Sequence, residues 1–448
     1  MVHHPSPAPV HAPPARPQPA AGDRQSLLNA RIFRRLMPLL VLSYVISFID
    51  RTNIALAKSH IEVDLGISAA AYGLGAGLFF LSYALLEVPS NLIMHRVGAR
   101  FWITRIMVTW GLLSAGMAFI TGETSFYVMR VLLGAAEAGL FPGVMLYLTY
   151  WFGREERARA IGYFLLGVCI ANILSGPVGG ALLQMDGFLG WHGWQWMFVI
   201  EGLPAVALAW VVWKKLPDGP ASAPWLTAAE SREVLQRLQA EQDQQASAGQ
   251  VGHSLRDCLR DRQIWLAILV YFCHQISIYT VIFFLPGIIG TYGQLSPLQI
   301  GTLNSVPWIA AAIGAAWLPR FATHPQRCRR MLLAGLGTMA AGLLLAALAG
   351  KASPALGLLG FSLTALMFFV VQSVVFLFPA SRLAGAGLAG GIALVNTCGL
   401  VGGFIGPTVM GMIEQATGST RNGLFIMAGL LVVAALASTR LRQGQETR

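Results

Sequence analysis

The chain has 448 residues, of which 55% are hydrophobic and only 11% charged, and its formal net charge is +11. Soluble globular chains carry about 25% charged residues, so this composition excludes a soluble enzyme or binding domain and indicates a multi-spanning membrane protein. A basic excess would suggest nucleic acid in a soluble chain; here Lys and Arg gather in short loops between apolar runs, where membrane topology accounts for them.

Residues 1–30 open with a run rich in Pro and Ala that lacks the apolar core of a signal peptide. They are expected to form a disordered cytoplasmic tail. His3, His4 and His11 lie in it without metal-ligand spacing. The five cysteines show no spacing for a metal or a disulfide framework, and no cofactor motif is present.

A membrane-crossing helix needs about 20 mainly apolar residues. Twelve such segments are expected, centred near Ser47, Phe80, Gly111, Ala138, Ala171, Ala207, Ser277, Ile309, Ala340, Leu366, Leu400 and Leu430. The expected fold is therefore an all-α membrane protein of two six-helix bundles. The N-terminal bundle covers 31–216, a linker 217–262, the C-terminal bundle 263–442, and a short tail 443–448.

The first span contains Asp50 and Arg51. Charges inside a span are costly and mark functional groups facing a polar interior. Consecutive residues point in different directions on a helix, so Arg51 is expected to leave Asp50 and face a central cavity. Asp50 is read either as a proton carrier or as half of an ion pair holding span 1 to span 4. Tyr44 lies roughly two turns before it. In span 2, Tyr83 is a candidate hydrogen-bond donor to a substrate. Glu87, near the cytoplasmic end beside Pro89, is read as a gate together with Arg96 and Arg100 of the following loop.

Span 4 carries Arg130 and Glu137, close to two turns apart and hence on one face. Glu137 sits between alanines, where only a functional or paired carboxylate is tolerable, and is the leading proton site. Arg130 is assigned to a charge relay with it. Guanidinium groups bind carboxylates bidentately, so Arg51 is assigned to an anionic substrate. Span 5 contains Gly176-Pro177-Val178-Gly179-Gly180, read as close helix packing rather than an exchanger signature. Span 6 carries Glu201, without an assigned role.

In the linker, Thr227 and Glu230 have the spacing of a capping box. The helix they open places Val234, Leu235 and Leu238 on one side and is expected along the cytoplasmic membrane surface. From Gln263 to Ile413 the chain has no Asp or Glu, so coupling chemistry belongs to the first half. The second half offers Gln275, Tyr279 and Asn396 as polar substrate contacts, and His274 as an interhelical hydrogen-bonding group. Arg and Lys cluster in the N-terminal tail and the loops after even-numbered spans, whereas the opposite loops hold little beyond Lys58, Lys351 and Arg421. This places both termini in the cytoplasm.

FIDRTNIALA at 48–57, EVPSNLIMHRVGAR at 87–100, RVLLGAAEAGLFPGVMLYLTYWF at 130–152 and GIALVNTCGLVGGFIGP at 391–407 resemble the major facilitator superfamily, within it the anion:cation symporters. With MDGFLGWHGWQWMFVIEGLPA at 185–205 and LPDGPASAPWLTAAE at 216–230, the likeness is greatest to bacterial tartrate-type transporters; phthalate and hydroxyphenylacetate permeases are also similar. Asn91 and His95 stand where the superfamily's loop signature has Gly and Asp. Pro319 replaces an acid after span 8, and Leu400 a second Asn in span 11. Val375-Phe376 stands where relatives have Phe-Trp, which puts Phe376 at the substrate wall.

The resemblance implies a monomeric, proton-coupled importer of a small organic anion in a bacterial inner membrane. Asp50 and Glu137 would take protons. An exchanger or drug exporter of the same fold is the alternative. No nucleophile elbow, phosphate loop or metal cluster suggests an embedded enzyme.

Overall fold

A computed structural model describes residues 21–247, 255–322, 324–383 and 385–442. The expected tail over 1–20 and the last six residues lie outside them. The chain folds almost entirely as helix, because in a hydrocarbon environment backbone polar groups must be satisfied within the segment. The first bundle comprises α1 (Ala21–Leu65), α2 (Ala69–Val97), α3 (Ala99–Gly116), α4 (Glu123–Glu137), α5 (Leu140–Thr149), α6 (Arg154–Leu183) and α7 (Gly193–Lys215). Linker helices α8 (Ala228–Ser247) and α9 (Leu255–Arg260) follow. The second bundle comprises α10 (Arg262–Gly290), α11 (Pro297–Trp317), α12 (Pro325–Ala349), α13 (Pro354–Val375), α14 (Leu377–Arg382), α15 (Gly385–Thr417) and α16 (Arg421–Ser438).

Among the described residues eleven helical segments are long and apolar enough to cross a membrane, α4 with α5 and α13 with α14 counting as one each. The segment expected near Ile309 is helix α11, whose 21 residues span roughly 30 Å. It is absent from the eleven because Gln299, Thr302, Asn304 and Ser305 dilute its apolar character.

Two expectations are corrected at the linker end. Helix α1 begins at Ala21, so residues 21–30 are helical rather than tail. Leu28 and Ile32 are buried, Asn29 donates to Glu156 at 2.7 Å, and Arg31 pairs with Glu230 of α8. These contacts extend the helix beyond the membrane span. The linker helix α8 buries Val234 and half-buries Leu238 but leaves Leu235 exposed, so the three do not share one environment. Its polar positions are taken up by the first bundle, with Arg237 donating to Asn29 at 3.0 Å. Thr227 and Glu230 form the reciprocal cap, the Thr227 backbone N–H donating at 2.9 Å and the hydroxyl accepting at 3.3 Å. That N–H, then Arg31, holds the Glu230 carboxyl below its ordinary range.

The linker and both ends of the described chain share one end of the molecule. Arg442 N–H donates to Gln263 at the start of α10 (2.8 Å), and Arg382 pairs with Asp261 there at 2.8 Å. The bundles meet along α2 against α15 and α6 against α11. A Cβ on Gly73 would run into the backbone of Pro407 and Gly411, and one on Gly176 into that of Gly301. Small residues let these backbones approach closely. Four polar links tie the bundles here: Lys58 to Glu414 (2.9 Å), the Ala69 N–H to Gln415 (3.2 Å), Tyr72 hydroxyl to the Phe283 carbonyl (3.1 Å) and Ser305 hydroxyl to the Ile173 carbonyl (2.6 Å). All four lie toward the end remote from the linker, so the structure is sealed at that far end.

Candidate functional site

The helical repeat of α1 divides its polar residues between two faces. Ser47 and Arg51 are one turn apart and share a face; Asp50 is turned about 100° away. Arg51 Nη2 donates to Glu137 Oε1 at 2.5 Å, and the Ser47 hydroxyl donates to the same oxygen. Arg51 was expected to stand free in a cavity; instead it is paired with Glu137, the two side chains being 8% and 2% exposed. The guanidinium carbon lies 4.7 Å from the Phe48 ring centroid and 5.2 Å from those of Phe79 and Tyr83. Such faces attract a cation. Arg51 Nε is buried and makes no hydrogen bond, so the guanidinium retains an unused donor.

Glu137 is the last residue of α4. Ala138 turns extended (ψ 127°) and Gly139 adopts φ 95°, a left-handed conformation suited to glycine. The helix restarts at Leu140. The break frees the Ala138 carbonyl, which accepts from Ser90 on α2 at 2.7 Å. A helix C-terminus carries partial negative charge, which reinforces the preference of this position for the Arg51 cation.

Arg130, two turns earlier, does not reach Glu137. It donates to the carbonyls of Gly75 (3.2 Å) and Ala76 (3.4 Å) on α2, with its guanidinium 4.9 Å from the Phe79 centroid. Phe79 thus lies against both arginines, and Arg130 joins α4 to α2.

Asp50 points into the first bundle, where Trp110 Nε1 donates at 2.5 Å and the Ser114 hydroxyl at 3.0 Å, both from α3. The alternative of an ion pair to span 4 is not what the structure shows. Asn53, one turn along α1, and Glu201 on α7 belong to the same buried region.

From the second bundle, Tyr279 lies tilted against Phe80 at 4.2 Å between ring centroids and faces the Arg51 guanidinium. Tyr271 meets Phe376 edge-on at 4.9 Å and accepts from Gln372 at 3.2 Å. Gly399, nearly one turn beyond the half-buried Asn396, packs against Tyr271 and Gln275. His274 lies on another face, its Nε2 3.0 Å from the Phe368 carbonyl. Tyr44 stacks on Phe164 at 4.1 Å and meets Phe48 edge-on at 4.9 Å. It therefore supports the Arg51 cage through Phe48.

The gate residues are dispersed. Glu87 is buried one turn beyond Tyr83 and feels the charge of Arg51 rather than a loop arginine. Arg96 is exposed. Arg100 donates from Nε to the Trp213 carbonyl at 2.6 Å, and its N–H donates to Asp218 at 2.9 Å. Those contacts hold α3 to the start of the linker within one bundle.

Ser47, Trp110, Ser114 and the Lys58–Glu414 pair were missed from sequence. Ser47 lies one turn before Arg51, a legible signal. Lys58 reads as a loop residue ending a span; its partner is 356 positions away, and no spacing announces it. No cluster of three His, Cys, Asp or Glu residues suited to a metal occurs among the described residues.

The model of the Major Facilitator Superfamily matches residues 40–407. A protein named "Putative tartrate transporter" from Agrobacterium vitis is 40% identical, covering 93% of this chain and 95% of its own. A quinolone resistance transporter from Acinetobacter baumannii is also 40% identical, over 92% and 95%. Among solved structures, a bacterial homologue of the human lysosomal transporter Spinster, inward-facing and occupied, aligns with a TM-score of 0.71 at 17% identity, covering 96% of this chain and 99% of that one. The inward-open xylose transporter XylE from E. coli aligns with a TM-score of 0.71 at 14% identity, over 91% and 95%. At these identities the structures speak to fold alone.

Proposed function

The chain belongs to the major facilitator superfamily and is a multi-pass membrane transporter, and from that premise we propose that it is a proton-coupled symporter importing a small organic anion by alternating access. Tartrate or a related hydroxy-carboxylate is the substrate favoured by the relatives named for tartrate. We further take it to cross a bacterial inner membrane twelve times as a monomer, with both termini and the linker in the cytoplasm. The arginine-rich loops support that orientation. The sealed far end then faces the periplasm.

One observation carries the mechanism: the Arg51–Glu137 ion pair inside an aromatic cage at the meeting of the two bundles. While Glu137 is ionised it occupies the guanidinium that would hold a substrate carboxylate. Protonation of Glu137 removes that competitor and releases Arg51. A carboxylate from the substrate then takes the two-pronged site, with Tyr83, Tyr279, Gln275 and Asn396 as hydrogen-bonding neighbours. Proton and anion thus favour each other's binding, and the coupling is reciprocal. Asp50 is the second proton-carrying group in this reading.

Uptake into proteoliposomes under an imposed pH gradient, with tartrate, aldonates, phthalate and hydroxyphenylacetate offered in turn, tests it. Gradient-driven accumulation of a carboxylate supports the proposal; none would overturn it. The relative named for quinolone resistance motivates a second reading, a drug exporter. Proton-driven extrusion of a fluoroquinolone, with no carboxylate uptake, would favour that one.

A further inference from the structure

Among the described residues, four carboxyl groups lie buried in the first bundle, Asp50, Glu87, Glu137 and Glu201, and the hydrogen-bond environments of the three away from the α2 end differ sharply. Glu137 has a guanidinium and a hydroxyl. Asp50 has an indole N–H and a hydroxyl. Glu201 on α7 is 5% exposed, and neither of its carboxyl oxygens has a hydrogen-bond partner.

Its surroundings explain this isolation. Leu56 and the Met197 sulfur flank the space beside Gly179 on α6, and Glu201 Oε1 lies 3.5 Å from the position a Gly179 Cβ would take. Gly179 therefore makes room for Leu56, and the carboxyl group sits at ordinary contact distance from that same space. From α1, the Asn53 amide lies beside it, within electrostatic reach of the carboxyl group but short of hydrogen-bond geometry, and both amide atoms are buried. From α3, Ser114 packs against Gly202, the next residue on α7, while bonding Asp50. Asp50 is the charged group acting on Glu201 among the described residues.

An ionised carboxylate whose one neighbouring donor, the Asn53 amide, makes no formed hydrogen bond carries a large desolvation penalty in such a place. A protonated carboxyl group avoids most of it. Two carboxyl groups in one buried region resist ionising together, and the better-solvated member keeps the charge. Asp50, with two donors, is that member.

We propose that Glu201 is a proton-binding site of this transporter, sharing one proton with Asp50. In the conformation described the O–H bond is on Glu201 and the negative charge on Asp50. When the proton moves, that bond breaks and an O–H forms on Asp50, leaving the net charge of the pair at −1. Glu201 then accepts from the idle Asn53 amide. A role in transport rests on the proton-coupled reading; the protonation itself does not.

Infrared spectroscopy of the full chain reconstituted in lipid tests this, with Glu201→Gln and Asp50→Asn beside the wild type. At neutral pH the wild type should show a protonated-carboxyl carbonyl band that disappears in Glu201→Gln. The band should weaken in Asp50→Asn, whose neutral amide no longer opposes a charge on Glu201. Should Glu201→Gln fail to fold, Glu201→Asp keeps the acid and should shift the band. A band unaffected by every substitution at Glu201 would overturn the site. A Glu201 band unchanged in Asp50→Asn would overturn the sharing. Tartrate uptake by the same proteoliposomes separates the two readings. Wild type indifferent to a pH gradient fails the coupled reading while the spectroscopic site stands; gradient-driven wild type lacking a Glu201 band fails this inference alone.

Discussion

Replacing Glu137 by Gln asks what the Arg51–Glu137 pair does at rest. The introduced amide would fill nearly the same volume at the end of α4 and can still accept from Ser47, but it carries no charge. Removing one partner of a buried pair typically costs about 3–5 kcal/mol, because the other charge is stranded. Here Arg51 is not fully stranded: the rings of Phe48, Phe79 and Tyr83 surround its guanidinium, each contact contributing about 0.5–2 kcal/mol. The fold should therefore tolerate the change, with Arg51 left as an open anion site. A charge-assisted hydrogen bond is worth about 1.5–3 kcal/mol. If Glu137 competes with the substrate by that much, Glu137→Gln should bind the anion roughly ten- to a hundredfold more tightly at alkaline pH. It should also lose the pH dependence of binding, and proton-driven accumulation should fail while exchange persists. The assay is equilibrium binding of tartrate to purified protein at acidic and alkaline pH, with uptake in parallel. Weaker binding than wild type, or intact gradient-driven accumulation, would refute the competition argument.

Arg51→Ala and Arg51→Lys should both weaken carboxylate binding to folded protein, by on the order of ten- to a hundredfold for alanine and less for lysine, which keeps the charge but loses the planar fork. Unchanged affinity in both would make Arg51 structural. Glu414→Gln removes one of the two carboxylates around Lys58, which lies 2.9 Å from Glu414 and 3.0 Å from Glu62. It should raise the labelling rate of a cysteine placed at the buried Thr408, where α15 packs against Gly77 of α2, from the periplasmic side, by several-fold to about tenfold for a link worth roughly 1 kcal/mol; an unchanged rate would mean the glycine contacts alone seal that end. A cysteine placed at residue 240 should react only with reagents that reach the cytoplasm, and labelling from outside would reverse the proposed orientation.

The residues that matter were legible in sequence where chemistry alone singles them out. Asp50, Arg51, Arg130, Glu137 and Glu201 are conspicuous because an ionisable side chain in an apolar run is costly. Their pairing was not legible. Arg130 and Glu137 share a face by spacing, yet Arg130 turns to the carbonyls of Gly75 and Ala76, because α2 packs against that face. Arg51 was expected to be free, and it holds Glu137 across 86 residues. The breaks after Glu137 and near Phe376 were equally hidden. Gly139 is an ordinary glycine in a glycine-rich span until the Ser90 hydroxyl is seen donating to the carbonyl that the break frees.

Composition and pattern by themselves determined that this chain crosses a membrane repeatedly, that its two halves flank a polar linker, and that its buried acids belong to the first half. Those conclusions depend only on transfer energies and on helical repeat, which are local properties of the residues. Tertiary structure decided which acid meets which base, which carboxyl group has no donor, and at which end the bundles close. Each depends on how helices far apart in sequence lie against one another, and a buried charge is governed by its few nearest atoms. That is why Lys58 and Glu414, which no sequence pattern pairs, tie the bundles together, while Arg96 and Arg100, which read as gates, do not.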